Sequence, residues 1–223
     1  MKCLVLLSGG VDSTTALAEA VLSYGAKEVV ALIIFYGQKH KKEVEAAEKI
    51  AEYYGVSCRK IDISAIFEGM SCPLLSGGEG DIPHESYAKQ LEKTDGAPVA
   101  TYVPFRNGLF ISCAAAAAIG EGCECLIYGA HADDSTGNAY PDTSPAFNRA
   151  MNDAVFIGSG NAIKLYAPFE HMNKAEVVKR GIKLKVPYEM TWSCYEGGET
   201  PCGVCGTCID RKKAFEANGL NIN

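Results

Sequence analysis

The feature that most limits the fold of this chain is a hexapeptide near its N-terminus, Ser8-Gly9-Gly10-Val11-Asp12-Ser13. It follows the short apolar run KCLVLL (2–7), which reads as a buried strand. It precedes Ser13 to Tyr24, whose apolar residues recur at helical spacing up to a closing Gly25. Two glycines let a strand-to-helix turn tighten and bring backbone N–H groups close to an anion. A helix beginning at Ser13 adds the positive end of its dipole, and the hydroxyls of Ser8 and Ser13 add donors. No Gly-Lys-Ser/Thr ending follows, so this is not a Walker loop. The competing reading is a plain glycine turn with Asp12 or Ser13 as a helix cap.

The rest of the chain keeps the same rhythm. VVALIIF (29–35) reads as a second buried strand, Lys39 to Tyr54 as an amphipathic helix ending at Gly55, and VSCRKID (56–62) as a third strand. Residues 69–104 interrupt it, dense in glycine and proline between Gly69 and Pro83. A loop this long in a compact domain is more often a functional lid than filler. An alanine-rich helix follows from Asn107 to Ile119, then a fourth strand over 125–130 and the polar loop HADDSTGNAYPDTS. A helix over Ala146–Phe156, the strand IKLYAP and a helix over Lys174–Arg180 lead to a basic terminal stretch, RKKAF. This alternation predicts an α/β fold, a Rossmann-like parallel sheet with helices on both faces. The expected organisation is an α/β domain over 1–190 with a small C-terminal zinc-binding segment over 191–223.

At 223 residues the chain can bury a full core. No stretch reaches the ~20 apolar residues of a membrane span. The N-terminal apolar run is too short for a secretion signal and leads straight into the glycine loop, so a cytoplasmic protein is expected. A net charge of -6 and a pI of about 5.3 carry no electrostatic footprint for a nucleic-acid partner.

Ten cysteines divide into two groups. Cys3, Cys58, Cys113, Cys123 and Cys125 lie in or beside apolar segments and read as small buried hydrophobes; Cys72 falls in the glycine-rich loop, where an exposed thiol is expected. Cys194, Cys202, Cys205 and Cys208 run as C-x7-C-x2-C-x2-C, the donor set of a closed tetrahedral zinc site with a structural role. An iron–sulfur cluster would accept the same four ligands, and a redox C-x2-C pair would need only two.

The hexapeptide resembles the PP-loop of the N-type ATP pyrophosphatases, enzymes related to the adenine nucleotide alpha-hydrolases. In those, the loop grips departing pyrophosphate while a substrate oxygen attacks the α-phosphorus. The stretch from Tyr166 through TWSCYEGGETPCGVCGTC to RKKAF, with YGQKH (36–40), VPFRNGLF (103–110) and AYPDTSPAF (139–147), resembles the 7-cyano-7-deazaguanine synthases of queuosine and archaeosine biosynthesis. The family more often has cysteine at the position of Thr143. The resemblance implies ATP-dependent conversion of 7-carboxy-7-deazaguanine and ammonia to the nitrile, releasing AMP and pyrophosphate. It also implies Mg2+ with the nucleotide and a homodimer.

On that reading Ser8, Gly9, Gly10, Val11, Asp12 and Ser13 hold the nucleotide, Asp12 acting through magnesium or loop geometry. Arg106 and Asn107 join them at phosphate or at the substrate carboxylate. Gln38 and His40 follow the second strand, where such sheets place their crevice; His40 is expected to be catalytic and Gln38 to bind substrate. Lys174 stabilises charge at the α-phosphate. His131, Asp133 and Asp134 take magnesium or the deazaguanine edge, while Tyr140, Asp142 and Trp192 flank the base. Two rivals stand beside this one. A PP-loop tRNA-modifying enzyme would transfer sulfur or an amine, with Cys72 the one loop thiol on offer. A non-catalytic nucleotide-binding module would bind ATP without releasing pyrophosphate.

Overall fold

A computed structural model describes residues 1–221. The elements run β1 (Cys3–Leu6), α1 (Val11–Tyr24), β2 (Val29–Phe35), α2 (Lys42–Tyr54), β3 (Ser57–Asp62), α3 (Tyr87–Leu91), α4 (Arg106–Gly120), β4 (Cys125–Ile127), α5 (Ala132–Ser135), α6 (Pro145–Gly158), β5 (Lys164–Tyr166), α7 (Lys174–Lys183) and α8 (Gly206–Glu216). All five strands are parallel, in the order β3-β2-β1-β4-β5. The chain moves outward from β1 to β3 on one side, then returns to lay β4 and β5 on the other. The switch point therefore falls between β1 and β4, where an open parallel sheet leaves a crevice beyond its carboxyl ends. SGGVDS sits there.

Period-two alternation distributes the strands' apolar residues between two cores. Cys3, Val5, Leu7, Ala31 and Ile33 face α1, α2 and α7 through Leu17, Ile50 and Val177. Leu4, Val30, Leu32, Ile34 and Leu126 face α4 and α6 through Ile111, Ala114, Ala118 and Val155. The alanine run of α4 has its reason here: Ala114 and Ala118 are wholly buried against the sheet, and larger side chains would hold the helix off. Helix α1 begins at Val11 rather than Ser13, which places Asp12 and Ser13 in its first turn.

Two cysteine readings need correction. Cys3 and Cys125 are buried as expected, and face each other in the β1–β4 register with their sulfurs paired. Cys58 is exposed, because β3 is an edge strand whose outer positions are polar. Cys72 is buried, its Sγ 3.8 Å from the Ala100 carbonyl.

Residues 69–104 are a folded layer rather than a featureless loop. Phe67, Leu74, Leu75, Ile82 and Val103 form one apolar cluster with Tyr36 and with Cys194, Cys205 and Cys208. This layer, expected to be a lid, and the cysteine segment thus share a core. His84 reaches Glu196 at 2.7 Å across their outer seam. Arg211 of α8 ties the segment to the main body, donating to Thr191 Oγ1 (2.7 Å) and to the Tyr188 carbonyl (3.0 Å). Among the described residues no helix is long and apolar enough to cross a membrane.

Candidate active site

The crevice has a cavity volume of about 250 Å³. Its floor is the glycine loop. Gly9 takes φ +82°, and a Cβ there would lie 2.4 Å from the Glu43 carbonyl and 2.7 Å from the Ala47 nitrogen. Glycine is required twice over, by the left-handed backbone and by the approach of α2. Ser8 and Ser13 hydroxyls are 3.0 Å apart, and Ser13 Oγ also accepts from Ser8 N–H at 3.2 Å. The two hydroxyls therefore stand preorganised beside the first turn of α1. Gly129, after β4, presses against that turn: a Cβ would come within 3.0 Å of Asp12 and Ser13 backbone. In the sequence Gly129 has one signal, a glycine directly after an apolar strand.

A charged cluster borders the loop. Lys174, at the start of α7, donates to Asp12 Oδ2 at 2.6 Å and to His131 Nε2 at 3.3 Å. Burial opposes the charge on Asp12, but Lys174 and His131 outweigh it and hold the carboxyl below its ordinary range. Burial likewise opposes the charge on Lys174, and Asp12 and Asp134 reverse that and raise it. Asp133 does not line the cavity. It is exposed and accepts from the Lys174 backbone N–H at 2.8 Å, fixing the start of α7. His131 is 4% exposed and lies behind Lys174, 3.3 Å from Asp134. Asp210 of α8 lines the same wall, and burial raises its carboxyl. No spacing marks it in the sequence, where it stands alone between the last cysteine of the cluster and RKKAF.

The opposite wall is aromatic. Tyr87 of the lid, Tyr140, and Tyr195 of the cysteine segment bring their hydroxyls together at 3.0–3.4 Å, and Thr101 reaches Tyr140 at 2.8 Å. Arg106 donates to Tyr36 OH at 3.0 Å and lies over the Tyr36 and Phe110 rings. Its Nε is buried without a partner. Arg106 and Asn107, expected beside the nucleotide loop or at the substrate carboxylate, are grouped with this wall. Asp142 is 3% exposed and does not line the cavity. It accepts from Asn107 N–H at 2.8 Å and from Nδ2 at 3.1 Å, capping α4. Gln38 lines the cavity and accepts the Tyr36 N–H at 2.9 Å. His40 lies outside the lining, packed under Gly197 and edge-on to Trp192. Trp192 lines the cavity and donates its backbone N–H to the Gly9 carbonyl at 2.9 Å, joining the cysteine segment to the loop.

The sulfurs of Cys194, Cys202, Cys205 and Cys208 lie within 4.8 Å of one another. A tetrahedral ion with ~2.3 Å bonds needs sulfurs about 3.8 Å apart; Cys202 and Cys208 are at 3.9 Å. Backbone N–H groups of Cys202 and Cys205 point at sulfur at 3.3 Å, as thiolates require. Hydrogen bonds from Cys208 and Thr207 hold the Cys205 thiol down to about 4, and the donating Cys208 is pushed up in turn. The cluster fits a metal.

The family profile described as queuosine biosynthesis protein QueC matches residues 2–219. The chain belongs to the QueC family. It aligns with curated relatives over most of their length. It is 44% identical over 221 residues to 7-cyano-7-deazaguanine synthase of Archaeoglobus fulgidus, covering 99% of this chain and 88% of that one. It is 40% identical over 220 residues to the synthase of Caldicellulosiruptor bescii, covering 99% and 95%. Among solved structures the fold resembles the U34-tRNA thiolase NcsA from Methanococcus maripaludis with its [4Fe-4S] cluster (TM-score 0.53, 18% identity, 98% of this chain and 67% of that one). It also resembles the NMN synthetase of Francisella tularensis (TM-score 0.52, 18% identity, 100% and 79%). At that identity the two neighbours speak for the QueC fold alone.

Proposed function

We propose that this chain converts 7-carboxy-7-deazaguanine and ammonia to 7-cyano-7-deazaguanine in two adenylations at one site. The observation that carries the reading is the cleft itself in a QueC member. A hydroxyl-lined PP-loop lies at the switch point, and a cationic aromatic wall lies opposite. Oxide is a poor leaving group, so ammonia cannot displace it from a carboxylate. Attack of that carboxylate on the α-phosphorus of ATP forms an acyl adenylate and releases pyrophosphate. Ammonia then displaces AMP and loses a proton, leaving the amide. The amide oxygen attacks the α-phosphorus of a second ATP and releases a second pyrophosphate, and loss of AMP together with both amide N–H protons leaves the nitrile.

The chain's residues divide these tasks. Ser8, Ser13 and the N–H groups of Gly10, Val11 and Asp12 take the β- and γ-phosphates at the head of α1, where donors and dipole favour negative charge. Lys174 turns from Asp12 toward the α-phosphate and meets the charge that develops there. Asp12 Oδ1, buried without a partner, with Asp134 and Asp210, would hold Mg2+, which supplies charge neutralisation on the phosphates. Arg106 offers its open guanidinium edge to the substrate carboxylate, while Tyr140, Gln38 and Trp192 border the base. His40 positions Trp192 rather than touching substrate. Zinc is the ion proposed for the four cysteines. It would hold residues 191–223 as an appendage on the 1–190 α/β unit and keep Tyr195 and Trp192 in the cleft. A cytoplasmic homodimer without a nucleic-acid partner completes the proposal; sedimentation of the metal-loaded protein checks the dimer.

Incubation with ATP, Mg2+, ammonium and 7-carboxy-7-deazaguanine, followed by mass spectrometry, tests the reading. Amide then nitrile, with AMP and pyrophosphate, is the expected result. ADP and phosphate as the only nucleotide products would refute the PP-loop chemistry, and no mass change would refute the substrate.

A further inference from the structure

Helix α2 opens with two acids, Glu43 and Glu45. Carboxylates in a first turn ordinarily face solvent and complement the helix dipole, and Glu45 does so. Glu43 turns inward. Its side chain lines the crevice with Tyr36, Gln38, Arg106 and Trp192, and no described residue gives it a hydrogen bond. Burial pushes its carboxyl up to about 7, against the pull of Arg106. Arg106 is close enough to exert that pull, yet among the described residues it donates to Tyr36 and leaves its Nε without a partner. An inward acid without a partner is costly to the apo fold. An acid and a guanidinium held apart across one cavity call for something between them.

We infer that Glu43 is the specificity residue for the purine edge of the substrate, accepting its ring N–H and exocyclic amine while Arg106 holds the opposite end. This rests on the synthase reading above. A 7-deazaguanine carries two donors side by side in the ring plane, N1–H and the 2-amino group. A carboxylate is the side chain that accepts both at once, in the bidentate manner in which it meets other planar donor pairs. The far end of the ring presents acceptors, O6 and the 7-carboxylate, which suit the donors of Arg106. Adenine has the reverse pattern on its pairing edge, a donor beside an unprotonated ring nitrogen. Glu43 therefore also keeps the base of ATP out of the substrate's place, a discrimination that a cleft holding two purine-like rings needs.

The test compares 7-carboxy-7-deazaguanine with its 2-desamino analogue, using metal-loaded wild type, Glu43→Gln and Glu43→Asp, with pyrophosphate release and nitrile as readouts. Glutamine offers one acceptor and one donor and cannot satisfy both N–H groups. The expected result for Glu43→Gln is a loss of roughly 10–100-fold in kcat/KM for the guanine-type substrate, carried by KM. The loss for the analogue is several-fold smaller, and the KM values for ATP and ammonium stay unchanged. Glu43→Asp keeps part of the preference, and ATP-dependent thermal shifts establish that both variants are folded. Equal losses on both substrates, or a change confined to the ammonium KM, would overturn the assignment; the latter would make Glu43 a base for ammonium. Wild-type silence on 7-carboxy-7-deazaguanine would instead sink the synthase reading, and this inference with it.

Discussion

The two walls of the crevice are built by opposite strategies. The wall proposed for phosphate, the phosphate wall, comes from six consecutive residues, Ser8 to Ser13, and offers backbone N–H groups, short hydroxyls and a helix end. The wall proposed for the base, the base wall, draws Tyr36, Glu43, Tyr87, Arg106, Tyr140 and Tyr195 from six separate stretches of chain. It works through long side chains whose positions depend on the lid and the cysteine cluster. A local wall tolerates damage elsewhere as long as β1 and α1 stand. An assembled wall fails whenever any one of its contributors moves. Perturbations should therefore separate ATP handling from substrate handling.

The largest separation is expected from the metal site. Stripping the metal with a chelator, or Cys205→Ser, removes the staple that holds Tyr195 and Trp192. Structural metal sites contribute folding energy outright. Synthase activity should vanish and the melting temperature fall by on the order of 10 °C, roughly a few kcal/mol. Residual ATP binding to the stripped protein would mark the local wall as self-sufficient, and loss of both functions together would erase the comparison.

Next in size is Lys174→Ala. Removing one preorganised donor for developing charge costs on the order of 100–1000-fold in kcat, with little change in the substrate KM. A KM effect without a kcat effect would place Lys174 in ground-state binding instead. Arg106→Lys keeps the charge and loses the planar fork. It is expected to raise the substrate KM about 10-fold while the ATP KM stays within about two-fold, as steady-state kinetics would show. Tyr140→Phe deletes one hydroxyl of the phenol cluster and should cost ~0.5–1.5 kcal/mol, seen as a few-fold rise in substrate KM.

The smallest expected effect is in pH dependence, and here the two walls carry opposite signs. Asp12 on the phosphate wall has a lowered folded pKa. Its ion pair stabilises the protein above the ordinary carboxyl range, and that contribution is lost as pH falls through the lower folded value. Lys174→Met should flatten this acid limb in thermal melts. Glu43, faced by Arg106 from α4 and by Tyr36 after β2, is raised to about 7. Its neutral form is the one the empty fold favours, so its contribution is present at low pH and is lost as pH rises through 7. Glu43→Gln should accordingly gain stability over wild type at pH 8 but not at pH 5. A variant curve parallel to wild type would mean that the carboxyl is not held against its charge.

The strength of each reading follows from this division. The strand pattern of 2–7, 29–35 and 56–62, together with the glycine loop, carries the parallel sheet, because apolar runs and turn residues act over short distances. The cysteine spacing carries the metal site for the same reason. Glu43 was not legible, since a first-turn acid followed by another looks like ordinary dipole pairing. Asp142 was misplaced because an acid in a strand-end loop serves equally as a ligand or as a cap. His40 and Trp192 sit on opposite sides of a packing boundary that no spacing reveals. Cys58 and Cys72 exchanged their expected exposures because β3 proved to be an edge and the 69–104 stretch proved to be a packed layer.

By itself the sequence determined the loop end of this protein: a glycine hexapeptide that turns tightly between a strand and a helix and leaves its backbone N–H groups free for an anion. Only the tertiary structure decided which side chains face that loop across the crevice. Backbone donors are fixed by local dihedral angles, which neighbouring residues dictate. The reach of an arginine, a tyrosine or a glutamate is fixed by where remote helices and the cysteine segment come to rest.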